Sequence, residues 1–277
     1  MAADNTAMAN MALVMMGQGT IASLTENTQT ATNVNAVFTH ARDIVLMELA
    51  PNFAIKRKRI TAAGLLDCSA KTITFVVNSG ADTVTDSGSG FVTGGFEDSD
   101  ILSAEGSVNN NTSVNIASVA AGTLTLETYE DVTAETLTND ADLKLYALNP
   151  KGLYKYEKPS DCLSVRKVNE ISVVDEPYNW VKEGKFITIG IIDDNDQILI
   201  EYVSQVTDTT LWTTQYEQCL ALKLCSLLSV PIKEDWNIMN YWEKRYQDSL
   251  PRAMVKEVQE GNPDRTRKET EWEKSGH

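Results

Sequence analysis

Residues 69–148 interrupt an otherwise mixed-charge chain with 12 acidic residues and only 2 basic ones, and they contain neither cysteine nor proline. The other 197 residues carry 27 acidic and 22 basic side chains, so two-thirds of the net charge of −15 sits in this one stretch. No long 3.6-residue periodicity runs through it. Short β-rich runs at residues 72–77, 113–119 and 123–126 are separated by Gly, Ser and Asn turns. The pattern reads as a small all-β domain inserted into a different unit.

On either side the periodicity changes. Residues 4–16, closed by Gly17 and Gly19, suit a short helix. Ala31, Val34, Phe38, Ala41, Val45 and Leu49 then fall on one helical face, with Thr25, Asn27 and Thr28 as N-cap candidates and Pro51 as the stop. A strand is expected from residue 52 to Gly64, and strands resume at residues 153–156, 163–168, 185–189 and 198–203, with Asp193–Asp196 as a hairpin turn. A helix with Tyr216, Leu220, Leu224, Leu227 and Leu228 on its buried stripe should run from about Trp212 to Pro231. A second starts near Asp235 with Trp236, Met239, Trp242, Tyr246 and Leu250, and Pro251 is expected to kink or end it. The fold class is therefore α+β: a discontinuous body of residues 1–68 and 149–260, with N- and C-terminal helices around a small central antiparallel sheet. To it are added the inserted all-β domain of residues 69–148 and a charged tail of residues 261–277.

Composition excludes several functions. An acidic balance of 39 against 24 basic residues disfavours a protein that grips nucleic acid through counterion release. The longest apolar stretch near the start, Ala12 to Met16, is far short of a membrane span. Cys68, Cys162, Cys219 and Cys225 show no CxxC spacing, which points to reduced thiols, and two histidines, His40 and His277, do not make a zinc site. Asp193-Asp194-Asn195-Asp196 breaks the calcium-loop pattern at Gln197 and Ile198, and residues 88–95 lack the Gly-Lys-Ser/Thr ending of a phosphate loop, leaving a β-turn region. His40 reads as a helix-surface residue, and the Trp236, Trp242 and Tyr246 group as core or interface packing. No catalytic constellation, metal site or cofactor is expected.

With the acidic stretch set aside, four segments carry a resemblance. They are Ala12-Leu13-Val14-Met15-Met16-Gly17 with Ile21-Ala22-Ser23-Leu24 and Glu26; Ala41-Arg42-Asp43-Ile44-Val45-Leu46 running to Pro51-Asn52-Phe53-Ala54-Ile55-Lys56-Arg57; Tyr156 with Pro159-Ser160-Asp161-Cys162-Leu163; and Ile200-Glu201-Tyr202-Val203 to Val206-Thr207-Asp208 before the helix at Tyr216. In order and spacing the chain resembles the tail tubular protein A family, the head-to-tail adaptors of short-tailed bacteriophages. It departs from that pattern in having no Trp between Pro51 and Asn52, and in carrying Pro251 within the last helix. Phe91, Gly95-Phe96, Asp100-Ile101, Gly106-Ser107, Asn109-Asn110 and Ile116-Ala117-Ser118-Val119 look similar to a small β-domain recurring in phage virion proteins.

The resemblance implies a structural protein of the virion, assembled in the host cytoplasm into a ring of twelve copies. That ring would lie under the portal protein, above the tail or nozzle protein, and double-stranded DNA would pass through it without sequence-specific binding. Lys56-Arg57-Lys58-Arg59 then has three readings: a charge-guarded strand edge, a subunit or portal contact, or a DNA contact. In the tail, Trp272 is a candidate anchor and Arg265, Arg267 and Lys268 candidate partners for acidic groups on the ring. The competing functions are a carbohydrate-binding or cell-wall-active virion protein using the Asn109–Asn111 loop, and a capsid decoration or scaffold protein.

Overall fold

The computed structural model describes residues 4–169, 171–172, 180–190 and 197–261. The expected Asp193–Asp196 turn, and Arg265, Arg267, Lys268 and Trp272 of the tail, lie outside the described residues. The first half runs α1 (Asn5–Met15), α2 (Gln29–Leu49), β1 (Ile55–Ala63), β2 (Leu65–Asp67), β3 (Thr72–Val76), β4 (Thr83–Asp86), α3 (Phe91–Gly94), β5 (Ile101–Glu105), β6 (Ser113–Ala120) and β7 (Thr123–Leu126). It is followed by β8 (Glu135–Thr138), β9 (Lys144–Leu148), β10 (Tyr154–Glu157), β11 (Cys162–Val168), β12 (Ile171–Ser172), β13 (Trp180–Glu183), β14 (Phe186–Ile189), β15 (Gln197–Ser204), α4 (Thr214–Lys233) and α5 (Trp236–Gly261). The fold is a mixture of helices and a large antiparallel sheet. Two compact units divide the described residues: those up to Lys56, Asp161–Val165 and those from Tyr202 onward form one, and those of Arg57–Ser160 and Arg166–Glu201 the other.

Helices dominate the first unit. Asp4 caps α1 by accepting the Ala7 N–H at 2.6 Å, and Thr28, one of the three candidates, caps α2 by accepting the Ala31 N–H at 3.2 Å. The α2 stripe of Ala31, Val34, Phe38, Ala41, Val45 and Leu49 is buried, and the helix closes at Ala50 in a left-handed conformation just before Pro51. Thr213 caps α4. Leu13, Phe38, Leu46, Tyr216, Leu220, Leu224 and Tyr246 belong to one core, so helices from both ends of the chain close the same interior. None of the four cysteines is in a disulfide: Cys225 Sγ donates to the Ala12 carbonyl in α1, while Cys219 lies 3.6 Å from Ser249 Oγ in α5, on a different face of α4.

Both prolines are passed. The α4 helix continues two residues beyond Pro231, and α5 continues ten beyond Pro251, so Pro251 does not end it. A proline inside a helix forfeits one backbone hydrogen bond and costs about 3 kcal/mol. Buried groups on both sides of the break, Tyr246 before it and Ala253 and Glu257 after it, hold α5 to the core and outweigh that cost.

The strand order is β12-β11-β15-β1-β10-β9-β5-β6-β7-β4-β3-β8, with β13 beside β14, β14 also on β10, and β2 on β9. The sheet is thus much larger than the small one expected, because strands of the acidic stretch and strands flanking it share one order. The junction is a tight hairpin between β9 and β10. Asn149 is buried there, its Oδ1 accepting the Lys151 and Leu153 N–H groups at 3.0 and 2.9 Å, and Gly152 takes a φ of 75° that favours glycine. The charge step falls at this hairpin without breaking the pairing, since net charge reports on side chains whereas strand pairing is made by the backbone. Within residues 66–147, Ile73, Phe75, Val84, Phe91, Leu102, Ile116, Leu124 and Leu145 form a core of their own. The glycine-rich residues 88–95 hold a turn, anchored by Asp86 accepting the Gly88 and Gly90 N–H groups at 2.7 Å each, and then the single turn of α3.

Candidate interaction surface

Strand β1 carries the dense basic run, and its exposed side chains alternate between two faces as a strand requires. In the helical unit, Lys56 donates to Asp161 Oδ2 at 2.7 Å, and the Tyr202 hydroxyl donates to the other oxygen of the same carboxylate at 3.1 Å. Burial by itself raises the Asp161 carboxyl, but the Lys56 and Tyr202 hydrogen bonds outweigh it and hold the group below the ordinary carboxylate value. Burial, reinforced by Asp161, pushes the Tyr202 phenol up to about 12. Tyr202 therefore stays a donor throughout the neutral range.

In the sheet unit, Arg57 donates through Nε and one terminal nitrogen to Glu201 Oε2 at 2.9 and 2.7 Å, and Arg166 approaches the other Glu201 oxygen at 3.8 Å. Glu201 is nearly buried, whereas the Arg57 side chain is largely exposed, so the carboxylate fixes the guanidinium while leaving part of its donor edge to solvent. A hollow of about 290 Å³ beside them is lined by Arg57, Lys167, Leu199 and Glu201. Two cations, Arg57 and Arg166, thus flank one carboxylate, and Lys167 adds a third positive charge to the lining of the hollow. Lys58 and Arg59 are exposed and make no ion pair among the described residues. The exposed cations of the arrangement can bind an anionic surface.

Of the basic run, then, Lys56 and Arg57 are anchored while Lys58 and Arg59 are free to meet a partner. The anchors, Asp161 and Glu201, stand in the resembling segments but carry no sequence signal as partners, being 105 and 144 residues from the cations they hold. The other singled-out residues scatter. His40 is exposed on α2, and Trp236 is exposed at the start of α5. Trp242 packs partly against the helical core, and Tyr246 is fully buried with its hydroxyl donating to Glu48. Among the described residues no group of three His, Cys, Asp or Glu is placed to hold a metal ion, and no helix is long and apolar enough to cross a membrane. No protein-family model matches this chain, and no curated protein matches it.

The Asn109–Asn111 loop has an internal role. Asn110 is buried, donating to the Thr133 carbonyl at 2.9 Å and accepting the Thr133 N–H at 2.7 Å. Glu135 accepts from Ser107 Oγ, the Val108 and Asn109 N–H groups and Asn110 Nδ2. Burial raises the Glu135 carboxyl and these four bonds bring it below its ordinary value. One of the three asparagines is thereby committed to holding the loop.

The Lys56–Asp161 pair has a signed pH dependence. A carboxyl lowered on folding adds stability above its unfolded value, near pH 4, and loses it as pH falls through the folded value. Lys56→Ala is therefore expected to cost less than about 1 kcal/mol at pH 7, because the pair is partly exposed. The difference from the unmodified chain should shrink as pH falls from 7 to below the ordinary carboxylate range, where Asp161 takes up its proton. Urea unfolding across that range checks it, and a cost that persists in acid would assign Lys56 a role other than this pair.

Proposed function

We propose that this chain is a head-to-tail adaptor of a tailed bacteriophage virion, a structural protein that forms a ring below the portal, joins capsid to tail and conducts the genome. The observation that carries the reading is the shared core of Leu13, Phe38 and Leu46 from the N-terminal helices with Tyr216, Leu220 and Leu224 from the C-terminal ones. Helices from both chain ends brought together around intervening strands is the organisation that the resembling segments imply. The acidic residues 69–148 form, in this reading, an inserted all-β domain on that body, and their own core of Ile73, Phe75, Leu102 and Leu124 is what supports it. Lys58 and Arg59 supply a contact to portal or neighbour, with Lys56 and Arg57 setting the strand in place.

Charge suits conduction and sets a condition on assembly. An acidic conduit repels DNA phosphates, so the duplex slides where a basic one would hold it. Twelve copies at −15 each bring together about 180 negative charges. Rings are therefore expected on a portal template and not from the isolated chain at low salt, with added salt easing self-association. Electron micrographs of the purified protein with and without the portal protein, at low and high ionic strength, test this. A protein that never associates with the portal ends the adaptor reading, and closed rings at low salt without portal end the template requirement.

A further inference from the structure

The packing of α4 against α5 leaves an open groove of about 580 Å³ in the helical unit. Its floor is apolar: Leu222 and Ala253 are buried and Trp242 is half-buried. Along one side stand Arg245, Arg252 and Lys256, all exposed, at helix positions i, i+7 and i+11, a stripe about 16 Å long. The facing side offers the uncharged Gln215 and Gln218, and Asp248 is the single carboxylate of the lining.

Some other cations of the unit are neutralised by a carboxylate. Lys223 pairs with Glu243 at 3.0 Å, Arg42 with Asp43 at 2.9 Å and Lys56 with Asp161 at 2.7 Å. Arg245, Arg252 and Lys256 make no ion pair among the described residues; Arg245 donates to the Tyr241 hydroxyl and lies 5.5 Å from the centre of that ring. An apolar floor beside an unneutralised basic stripe fits an acidic segment bearing one large aromatic side chain. The chain's own sequence contains such a segment, Glu269-Thr270-Glu271-Trp272-Glu273, next to its basic neighbours Arg265, Arg267 and Lys268.

We propose that the α4–α5 groove receives the Glu269–Glu273 segment of a second copy of this chain, Trp272 meeting the floor and the three glutamates the basic stripe. This rests on the ring reading and deepens it. Groove and segment are different surfaces, so the contact is heterologous, the kind that passes from copy to copy and closes into a ring. It also concentrates attraction at one place between molecules that otherwise repel.

The test is fluorescence anisotropy with a labelled peptide of residues 262–277, titrated into the full chain carrying Trp272→Ala. Saturable binding is expected, weakening with salt. It should weaken at least about tenfold when Arg252→Glu and Lys256→Glu are added, or when Trp272 of the peptide is changed to alanine. Arg252→Gln with Lys256→Gln should give a smaller loss in the same direction, and Lys244→Glu, outside the lining, none. Absent binding, or binding indifferent to the groove changes, overturns the proposal. So does a monomeric unmodified chain that binds the peptide at least tenfold more weakly than the Trp272→Ala chain, since the segment would then be held by its own copy. If groove-reversed chains bind no peptide yet form undiminished rings on the portal, the proposal fails while the adaptor reading stands. If the peptide binds as expected but no ring ever forms, the adaptor reading is the one that fails.

Discussion

Lys155→Met is expected to cost the sheet unit about 3–5 kcal/mol at neutral pH. Lys155 in β10 and Asp100 just before β5 have side chains only 4% and 5% exposed, and the ammonium donates to both carboxylate oxygens at 2.8 and 2.6 Å. Glu97 lies 3.6 Å away, and the ammonium sits 5.3 Å from the centre of the Phe186 ring. Removing the cation leaves a buried carboxylate with only the Glu97 N–H as a fixed donor. The loss arises from that stranded charge more than from the pair's own worth, so adding Asp100→Leu should restore most of it.

The pH dependence has a definite sign. Burial raises the Asp100 carboxyl, and the bonds from Lys155 and Glu97 oppose that rise without cancelling it. A carboxyl raised on folding binds its proton more tightly in the native state, so its contribution to stability falls as pH climbs through the carboxylate range. Without Lys155 the carboxyl rises further, and the variant should therefore lose less at pH 5 than at pH 8. Hydrogen exchange of the β10 amides, measured at both values, reads this unit by itself. A loss identical at the two pH values, or undiminished in the double variant, would mean the carboxylate is not what the lysine neutralises.

Glu257→Ala should destabilise the helical unit by about 3 kcal/mol. Glu257 is a 4% exposed residue of α5, six positions beyond Pro251. Its carboxylate accepts the Asn52 N–H at 3.0 Å and the Thr213 hydroxyl at 2.7 Å, while its carbonyl accepts Asn52 Nδ2 at 2.5 Å. One residue thus ties the last turns of α5 to the entry into β1 and to the cap of α4. Glu257→Gln keeps one acceptor oxygen and should cost about half as much. Amide exchange over residues 252–261 should accelerate in both variants, more in the alanine one. Unchanged protection there would show that the helix past Pro251 is held by its apolar contacts alone.

Much of the helical architecture was legible because its determinants lie within a few residues of each other. A cap needs a hydroxyl or carboxylate two or three residues before an amide, as at Thr28, and a buried stripe needs apolar residues three and four apart, as from Ala31 to Leu49. The strands at β3, β6, β7, β11 and β15 were readable in the same way, with alternation and flanking turns. Strands β2, β8 and β13 were not: they are short, and what defines them is a partner, β9 for the first, β3 for the second and β14 for the third. The basic run was visible as a candidate contact, but its division into two anchored and two unpaired cations depends on Asp161 and Glu201, which arrive from distant sequence.

By itself, then, the sequence determined where helices begin, which of their faces are apolar and that strands fill the middle of the chain, since each follows from backbone sterics and side-chain spacing over about one turn or one pleat. Tertiary structure alone decided whether α5 survives Pro251, because the compensating contacts of Tyr246, Ala253 and Glu257 exist only once the helix lies on its core. It alone decided that the acidic stretch continues the sheet through the β9–β10 hairpin, and that Lys155 and Asp100, 55 residues apart, share a buried site. A local pattern sets what a segment can become. Which distant backbone and which opposite charge it meets is set by the free energy of the whole packed chain, where burial strengthens each such contact and penalises every alternative that leaves a polar group unpaired.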